Sequence, residues 1–317
     1  MALIIGDRAD PHVQAVVNFL NSTATIVDGR SLLNERYSLT DTGFVFGSKE
    51  FAVSSLENGW VRRLAPAGWG RGDRVGSHSS AVRASALALL AGVMRLPGIA
   101  WLTHIDALMV AESKLVQSRV ARAIGVGYPK TVVTNDLSQA RRLLGAKVVV
   151  KPLGPGQFTR SDGSEASVLA NMINLDDPIY AGAASTPFII QEPIDVDVHY
   201  RVVTVSDRSW VCELPARGRP FDWRSEDESH NSFEVTTNAP PNLWGQALDL
   251  AAALSLGFTS QDWVKASGTG DLYVLDVNPG GQWLFLPEPV ASQVAESIAR
   301  WLEGRRLLDG FGRSGSR

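Results

Sequence analysis

A single cysteine, Cys212, among 317 residues leaves no pair for an internal disulfide and fits a reducing, cytoplasmic setting. It lies in the apolar stretch SWVCELP, which marks a buried structural thiol rather than a nucleophile. Long apolar runs are missing too. Uncharged stretches such as that between Arg83 and Arg95 fall far short of the roughly 20 residues a membrane-spanning helix needs. The start, MALIIGDRAD, has neither the length nor the basic residues of a signal peptide, so neither membrane insertion nor export is expected. Net charge is small, −3, which argues against a general nucleic-acid binder. The sequence shows no internal repeat and no heptad pattern.

What is present is a large apolar complement, 44% of the residues, enough for a sizeable core, on a chain of 317 residues, long enough for two or three domains around a shared site. Charge is uneven locally. Arg62, Arg63, Arg71, Arg74, Arg83 and Arg95 are countered within their interval only by Asp73. Such a run reads either as a solvated face or as a basic wall that receives an acidic partner. The small, polar tail GFGRSGSR is expected to be mobile.

Three segments emerge from the patterning. In the first, ALII and PHVQAVVNFL read as a strand and an amphipathic helix, TATIVD as a second strand, and TGFVFG and WVRRL as further short strands. An Ala-rich helix over about 79–95 closes it. The second opens with one long helical pattern, IDALMVAESKLVQSRVARAIG, ended by Gly125. YPKTVVT follows as a strand, then NDLSQARRLLG as a helix capped by Asn135 or Asp136 and stopped by Gly145. The third is strand-rich, with PFIIQEP, HYRVVTV, SWVCEL, GFTSQDWVK and LYVLDVN, plus the helices LWGQALDLAAALSLG and PVASQVAESIARWLEG. This order predicts an α/β (α+β) protein.

Chemistry concentrates at strand ends. In LYVLDVNPGG, Asp276 and Asn278 share one face of a strand that stops at Pro279. A carboxylate and an amide oxygen so placed suit a hard cation such as Mg²⁺; equally, the pair can cap the turn. Asp262, in the middle of an apolar strand, can be brought beside Asp276 by a neighbouring strand. Lys151 ends AKVVVK and precedes the glycine-proline loop PLGPGQF, an arrangement that holds phosphate, although no Walker loop is present. Gln191 and Glu192 end FIIQEPI, whose backbone edge can meet a flat base such as adenine. Lys114 by itself reads as a solvent-facing helical lysine.

The series Lys114, Lys151 with its loop, Gln191-Glu192, Arg201, Asp262 and Asp276-x-Asn278-Pro279 resembles the ATP-grasp ligases over roughly residues 100 to 290. Within that superfamily the chain is most similar to the graspetide synthetases, RimK-like enzymes that install side-chain ester or amide links in ribosomal peptides of the microviridin type. GWVRRLAP resembles their tryptophan-arginine-arginine motif. AWLTHIDALMVAESKLVQSRVARAIGVGYPKTVVTND resembles their lysine helix and following strand. FDWR at 221–224 resembles their Asp-Trp-Arg signature, and LDVNPGGQW their Glu-Ile-Asn-Pro-x-Gly-Gln turn. Asp276 replaces the usual glutamate with a side chain one methylene shorter. His199 stands where many relatives carry an acidic residue, and reads as an ordinary strand histidine.

The resemblance implies an ATP-grasp fold with an N-terminal pre-ATP-grasp domain over 1–98, a central subdomain over 99–186, a C-terminal antiparallel-sheet subdomain over 187–310 and a tail, 311–317. It implies ATP between two sheets, with Lys114 and Lys151 on the phosphates. The Gln191 to Ile194 backbone, including Glu192, would meet adenine, with Asp195 or Asp197 on the ribose. Asp262, Asp276 and Asn278 would hold Mg²⁺, and Arg201 and Arg224 would serve the phosphoryl transfer. For Arg224 the alternative is a loop salt bridge with Glu226, Asp227 or Glu228. The implied reaction activates Asp or Glu side chains of a precursor peptide, with its leader and core, as acyl phosphates that a hydroxyl or amine displaces. A homodimer in the cytoplasm is expected, acting on neither nucleic acid nor membrane. The other readings are a ligase joining free amino acids or extending a protein terminus, and a nucleotide-binding regulator without catalysis.

Overall fold

The structure, a computed structural model, describes residues 1–304 apart from 67, 71, 154–156, 160–163, 168–169, 181–186 and 237. The glycine-proline loop at 154–156, Arg71 and the polar tail therefore lie outside the described residues. The chain divides into two compact units, Met1–Ile105 joined by the segment from Ala291, and Asp106–Val290.

The first unit contains β1 (Ala2–Ile5), α1 (Pro11–Val17), β2 (Ala24–Val27), α2 (Gly29–Asn34), β3 (Tyr37–Leu39), β4 (Gly43–Phe46), β5 (Lys49–Ala52), β6 (Asn58–Val61), α3 (His78–Val93) and β7 (Ala100–Trp101). A parallel sheet has the order β2-β1-β6-β7. The all-apolar ALII of β1 is buried throughout, as expected of a parallel strand covered on both faces. An antiparallel sheet, β3-β4-β5, accompanies it; only its middle strand was legible, because β3 and β5 carry polar residues.

Two arginines of the basic run have internal partners. Arg62 is buried, with Nε 3.3 Å from Asp10 Oδ2 and Nη2 3.3 Å from His12 Nδ1. Asp10 also caps α1 by accepting from His12 N at 2.8 Å. Arg83 pairs with Asp73 at 2.5 Å and lies over the Trp69 ring. Internal partners thus consume charges that sequence spacing left open.

The second unit runs through α4 (Ile105–Ala111), α5 (Lys114–Ala123), β8 (Thr131–Thr134), α6 (Leu137–Leu144), β9 (Lys147–Pro152), β10 (Gln157–Thr159), β11 (Glu165–Ser167), β12 (Asn171–Asn174), β13 (Phe188–Gln191), β14 (Val196–Val205), β15 (Arg208–Pro215), α7 (Asp227–His230), β16 (Glu234–Val235), α8 (Leu243–Ala253), β17 (Phe258–Ala266) and β18 (Leu272–Asn278). The single helix expected over 105–125 is two. Ser113 takes an extended conformation and caps α5, so Lys114 opens a helix instead of lying within one.

Two larger antiparallel sheets form this unit, ordered β12-β9-β13-β8 and β16-β15-β14-β17-β18, together with a two-stranded sheet, β10-β11. Asp136 caps α6 through Ser138 N and Gln139 N. The helix lays Ala140 and Leu144 on Val148 and Ile190 of the first sheet. In the second sheet β14 and β17 are central, and Cys212 on β15 is fully buried. Burial pushes its thiol up to about 12, so it stays protonated and inert. Gly127 lets the chain entering β8 approach β18, since a Cβ there would stand 2.1 Å from the Leu272 carbonyl oxygen. The closing helix α9 (Val290–Leu302) belongs largely to the first unit, burying Val294, Ala295, Ile298 and Leu302 at helical spacing. No helix among the described residues is long and apolar enough to cross a membrane.

Candidate active site

A cavity of about 320 Å³ opens between the two larger sheets of the second unit. Register builds its charged floor. β17 pairs antiparallel with β18 so that Asp262 stands directly opposite Asp276 and Ser260 opposite Asn278. Residues opposite and two apart share a face, so two carboxylates and one amide look the same way. A bulge after Asp262 inserts Leu275 and re-aims the strand there. Gly281 completes the turn, since a Cβ at this position would lie 2.4 Å from that of Ser260.

Each carboxylate has a cation. Lys114 Nζ donates to Asp276 Oδ1 at 2.5 Å. Partial burial works against ionisation of Asp276, but the Lys114 charge and hydrogen bond, with Lys151 and Arg224 behind, hold its pKa below the ordinary value. Lys114 is placed by Gln117, one turn along α5. The Gln117 amide donates at 2.7 Å to both the Ala111 and Val277 carbonyls and accepts from Val277 N at 3.1 Å. That buried amide stitches α5 to β18. Arg201 Nη1 donates to Asp262 Oδ1 at 2.6 Å and Nη2 to the Gln282 carbonyl at 3.0 Å, with the guanidinium over Phe285.

Lys151 lines the cavity from the opposite sheet. Burial, assisted by the Lys114 and Arg224 charges and resisted by Asp276 and Asp262, lowers its pKa to about 8. A buried lysine whose charge other cations disfavour is a place for an anion. Arg224 reaches the cavity from a turn held by Asp222, whose two oxygens accept from Arg224 Nε and Nη2 at 2.8 Å each. Arg224 Nη1 is 4.0 Å from Asp262 Oδ2. Trp223 fixes the turn by edge contacts with His230 and Phe233, each 5.0 Å between centroids.

Of the residues singled out in the sequence, Lys114, Lys151, Gln191, Glu192, Ile194, Arg224, Asp262 and Asp276 line this one cavity. Others fall elsewhere. Asn278 shares the carboxylate face but is exposed, and its Oδ1 caps the turn through Gly280 N at 3.1 Å. Arg201 sits behind Asp262 rather than in the lining. Asp197 is outside the lining and bonds Lys265 Nζ at 2.7 Å, because a bulge between Val196 and Val198 turns it toward the strand bearing that lysine. Neither it nor Asp195 reaches the cavity wall. Arg224 takes Asp222 as its carboxylate partner. His199 is not an ordinary strand residue: it is buried and lines the cavity, with its pKa lowered by burial.

No family model matches the sequence, and no curated protein does. Solved structures match along nearly the whole chain. The macrocyclase MdnC of Microcystis aeruginosa MRC, solved bound with precursor peptide MdnA, has a TM-score of 0.79 at 18% identity, covering 96% of this chain and 99% of its own. A RiPP-associated ATP-grasp ligase of Chryseobacterium gregarium, solved with ADP and a leader and core peptide, has a TM-score of 0.81 at 20% identity and 96% coverage of both chains. A RimK domain ATP-grasp protein of Sphaerobacter thermophilus reaches 0.58 at 14% identity, covering 95% of this chain and 98% of its own. The chain has the ATP-grasp fold.

Within that ATP-grasp frame, three contributors escaped sequence reading. Gln117 lies three residues after Lys114, a spacing any helix supplies, and its two carbonyl partners are visible only in three dimensions. Asp222 stood inside FDWR, yet nothing local says that it clamps Arg224. His199 looked structural because apolar neighbours surround it in sequence. Among the described residues no group of three His, Cys, Asp or Glu side chains forms a metal cluster. The ATP-grasp cavity instead offers two carboxylates with one amide on their face, an oxygen set that fits Mg²⁺ and not a soft metal.

Proposed function

We propose that this chain is an ATP-dependent carboxylate ligase. In this reading it activates Asp or Glu side chains of a ribosomal precursor peptide and joins them to hydroxyl or amine side chains, closing macrocyclic links. The carrying observation is the charge pattern of one cavity, with Lys114, Lys151 and Arg224 converging on the facing pair Asp262 and Asp276. A triphosphate with a bridging divalent cation is the ligand complementary to that pattern. The shared fold supports a peptide substrate, because MdnC and the C. gregarium ligase were both solved with one.

Lys114 and Lys151 bind the phosphates, and the backbone from Gln191 to Ile194 meets adenine. Asp262 and Asp276 would hold Mg²⁺, with the second lone pair of the Asn278 amide oxygen as a further ligand. A metal held there would neutralise charge on the bound phosphates. Arg201 keeps Asp262 oriented from behind. Arg224 faces the space where the peptide carboxylate takes the γ-phosphoryl group, and its planar fork matches two oxygens at once. The acyl phosphate then loses phosphate to the second side chain. A homodimer in the cytoplasm completes the reading, in keeping with the resemblance and with one unpaired, buried thiol.

The test is peptide-dependent turnover. With ATP and Mg²⁺, a precursor peptide carrying Asp or Glu with Ser, Thr or Lys should raise ADP release at least about tenfold, the scale of one well-placed contact in the transition state. A rate that ignores the peptide but responds to free amino acids would favour the amino-acid ligase instead.

A further inference from the structure

The first unit carries a second cavity, of about 380 Å³, within the size range of small-ligand sites. It shares no lining residue with the ATP-grasp cavity. It opens at the carboxyl ends of the adjacent parallel strands β1 and β2, the edge at which open α/β sheets take ligands. Gly6 N donates to the Val27 carbonyl at 2.9 Å and pins the two strand ends together. The chain leaving β1 supplies Asp7 and Arg8, and the chain leaving β2 supplies Asp28 and Arg30. Ile26 and Phe46 add an apolar wall.

Part of this charge is satisfied internally. Asp7 accepts from Ala9 N at 2.9 Å and from Arg30 Nη2 at 3.1 Å, one oxygen for each. Asp28 differs. It is only 3% exposed, and its Oδ1 accepts from Ser31 N at 2.6 Å as the cap of α2. Among the described residues no donor reaches its Oδ2. Buried carboxylate oxygens normally have donors, and leaving one without is costly. A cationic donor inside the cavity removes that cost. Arg8 is exposed and has no acidic partner among the described residues, so an anionic group has a place as well. Asp7, Asp28 and Glu35 all line the cavity, yet they do not converge as a metal cluster, which disfavours a bare divalent cation. A polyanion would meet these three carboxylates against two guanidiniums. The complementary ligand carries one ammonium, one carboxylate and an apolar body.

We propose that this cavity binds a free α-amino acid with an aliphatic side chain, its ammonium on Asp28 and its carboxylate on Arg8. The side chain lies against Ile26 and Phe46. The inference is independent of the ligase reading, since no residue of the ATP-grasp cavity enters it. Binding here is reversible and makes no bond, so it adds a second small ligand to the protein rather than a second reaction.

The test is calorimetric titration of the full-length protein, without nucleotide, with L-alanine, L-valine, L-leucine and L-isoleucine. At least one should bind saturably. Its N-acetyl derivative, which lacks the ammonium, should bind at least about tenfold more weakly, the scale of a hydrogen bond to a charged group. Its amide, which lacks the carboxylate, should bind about two- to fivefold more weakly, as expected of a solvated ion pair. Asp28→Asn keeps the helix cap, because asparagine caps as well as aspartate, and should reproduce the loss seen with the N-acetyl derivative. Arg8→Gln, on an exposed side chain, leaves the fold alone and should erase the difference between acid and amide. Lys151→Met should leave the affinity unchanged, which separates this site from an amino-acid substrate held in the ATP-grasp cavity. No binding of any of the four overturns the proposal, as does binding lost in Lys151→Met or untouched in a folded Asp28→Asn protein. An acid–amide difference that survives Arg8→Gln overturns the place given to the carboxylate. The ligase reading stands or falls separately, on peptide-dependent ADP release.

Discussion

Asp276 shows how a single side chain joins fold and chemistry. It ends a strand, faces Asp262 across the ladder and holds Lys114 at 2.5 Å. Asp276→Asn keeps the shape and removes the charge that Lys114 and a metal require. Turnover should fall about 10²- to 10³-fold, as for other lost electrostatic groups in active sites. Steady-state ADP release, with thermal melting as the folding control, checks it; near-normal turnover would remove Asp276 from the metal set. Lys151 gives a pH signature. Its pKa of about 8 means that the free protein carries the ammonium below that pH and loses it above. Phosphate favours the charged form, so binding raises the pKa and takes up protons near and above pH 8, and affinity declines as pH climbs through this range. Calorimetric titration with a non-hydrolysable nucleotide in two buffers of different ionisation enthalpy reads that uptake. Lys151→Met should abolish it.

At the scale of elements, the decisive devices are one amide and one turn. Gln117 is 1% exposed and ties α5 to β18 by three hydrogen bonds. Gln117→Leu fills the space but strands the Val277 amide and carbonyl, at a cost of about 1–3 kcal/mol per buried group left unpaired. Urea unfolding should show that loss, and turnover should fall as Lys114 drifts from Asp276; a variant as stable as the parent would contradict the stitching role. The turn at Asp222–Arg224 makes a second prediction. Asp222→Ala should lower kcat more than it weakens nucleotide binding, because it frees Arg224 while Lys114 and Lys151 remain. Equal losses in both measurements would place Arg224 on the triphosphate. These elements also mark how far sequence reaches. β1, β9, β14 and β18 were legible because runs of Val, Ile and Leu follow strand periodicity. The break before Lys114 was not, because the apolar pattern passes through Glu112 and Ser113 without interruption. That a neighbouring strand could bring Asp262 beside Asp276 was legible, whereas the bulge beside that pair and the bulge that diverts Asp197 to Lys265 were not, because one-dimensional patterns do not encode them.

At the scale of the molecule, an ATP-grasp fold that superposes on peptide ligases over 96% of the chain carries a cavity whose lysines, arginine and carboxylates complement a metal-bound triphosphate. The central claim is that this cavity condenses a carboxylate with a second side chain of one peptide at the expense of ATP. Mass spectrometry of a precursor peptide incubated with the enzyme, with ADP and phosphate counted in the same reaction, tests it most directly. The account predicts the loss of one water for each bond formed, with one ADP and one phosphate released per bond. A product that stays heavier by a phosphoryl group, or ATP consumed with the peptide mass unchanged, would contradict it.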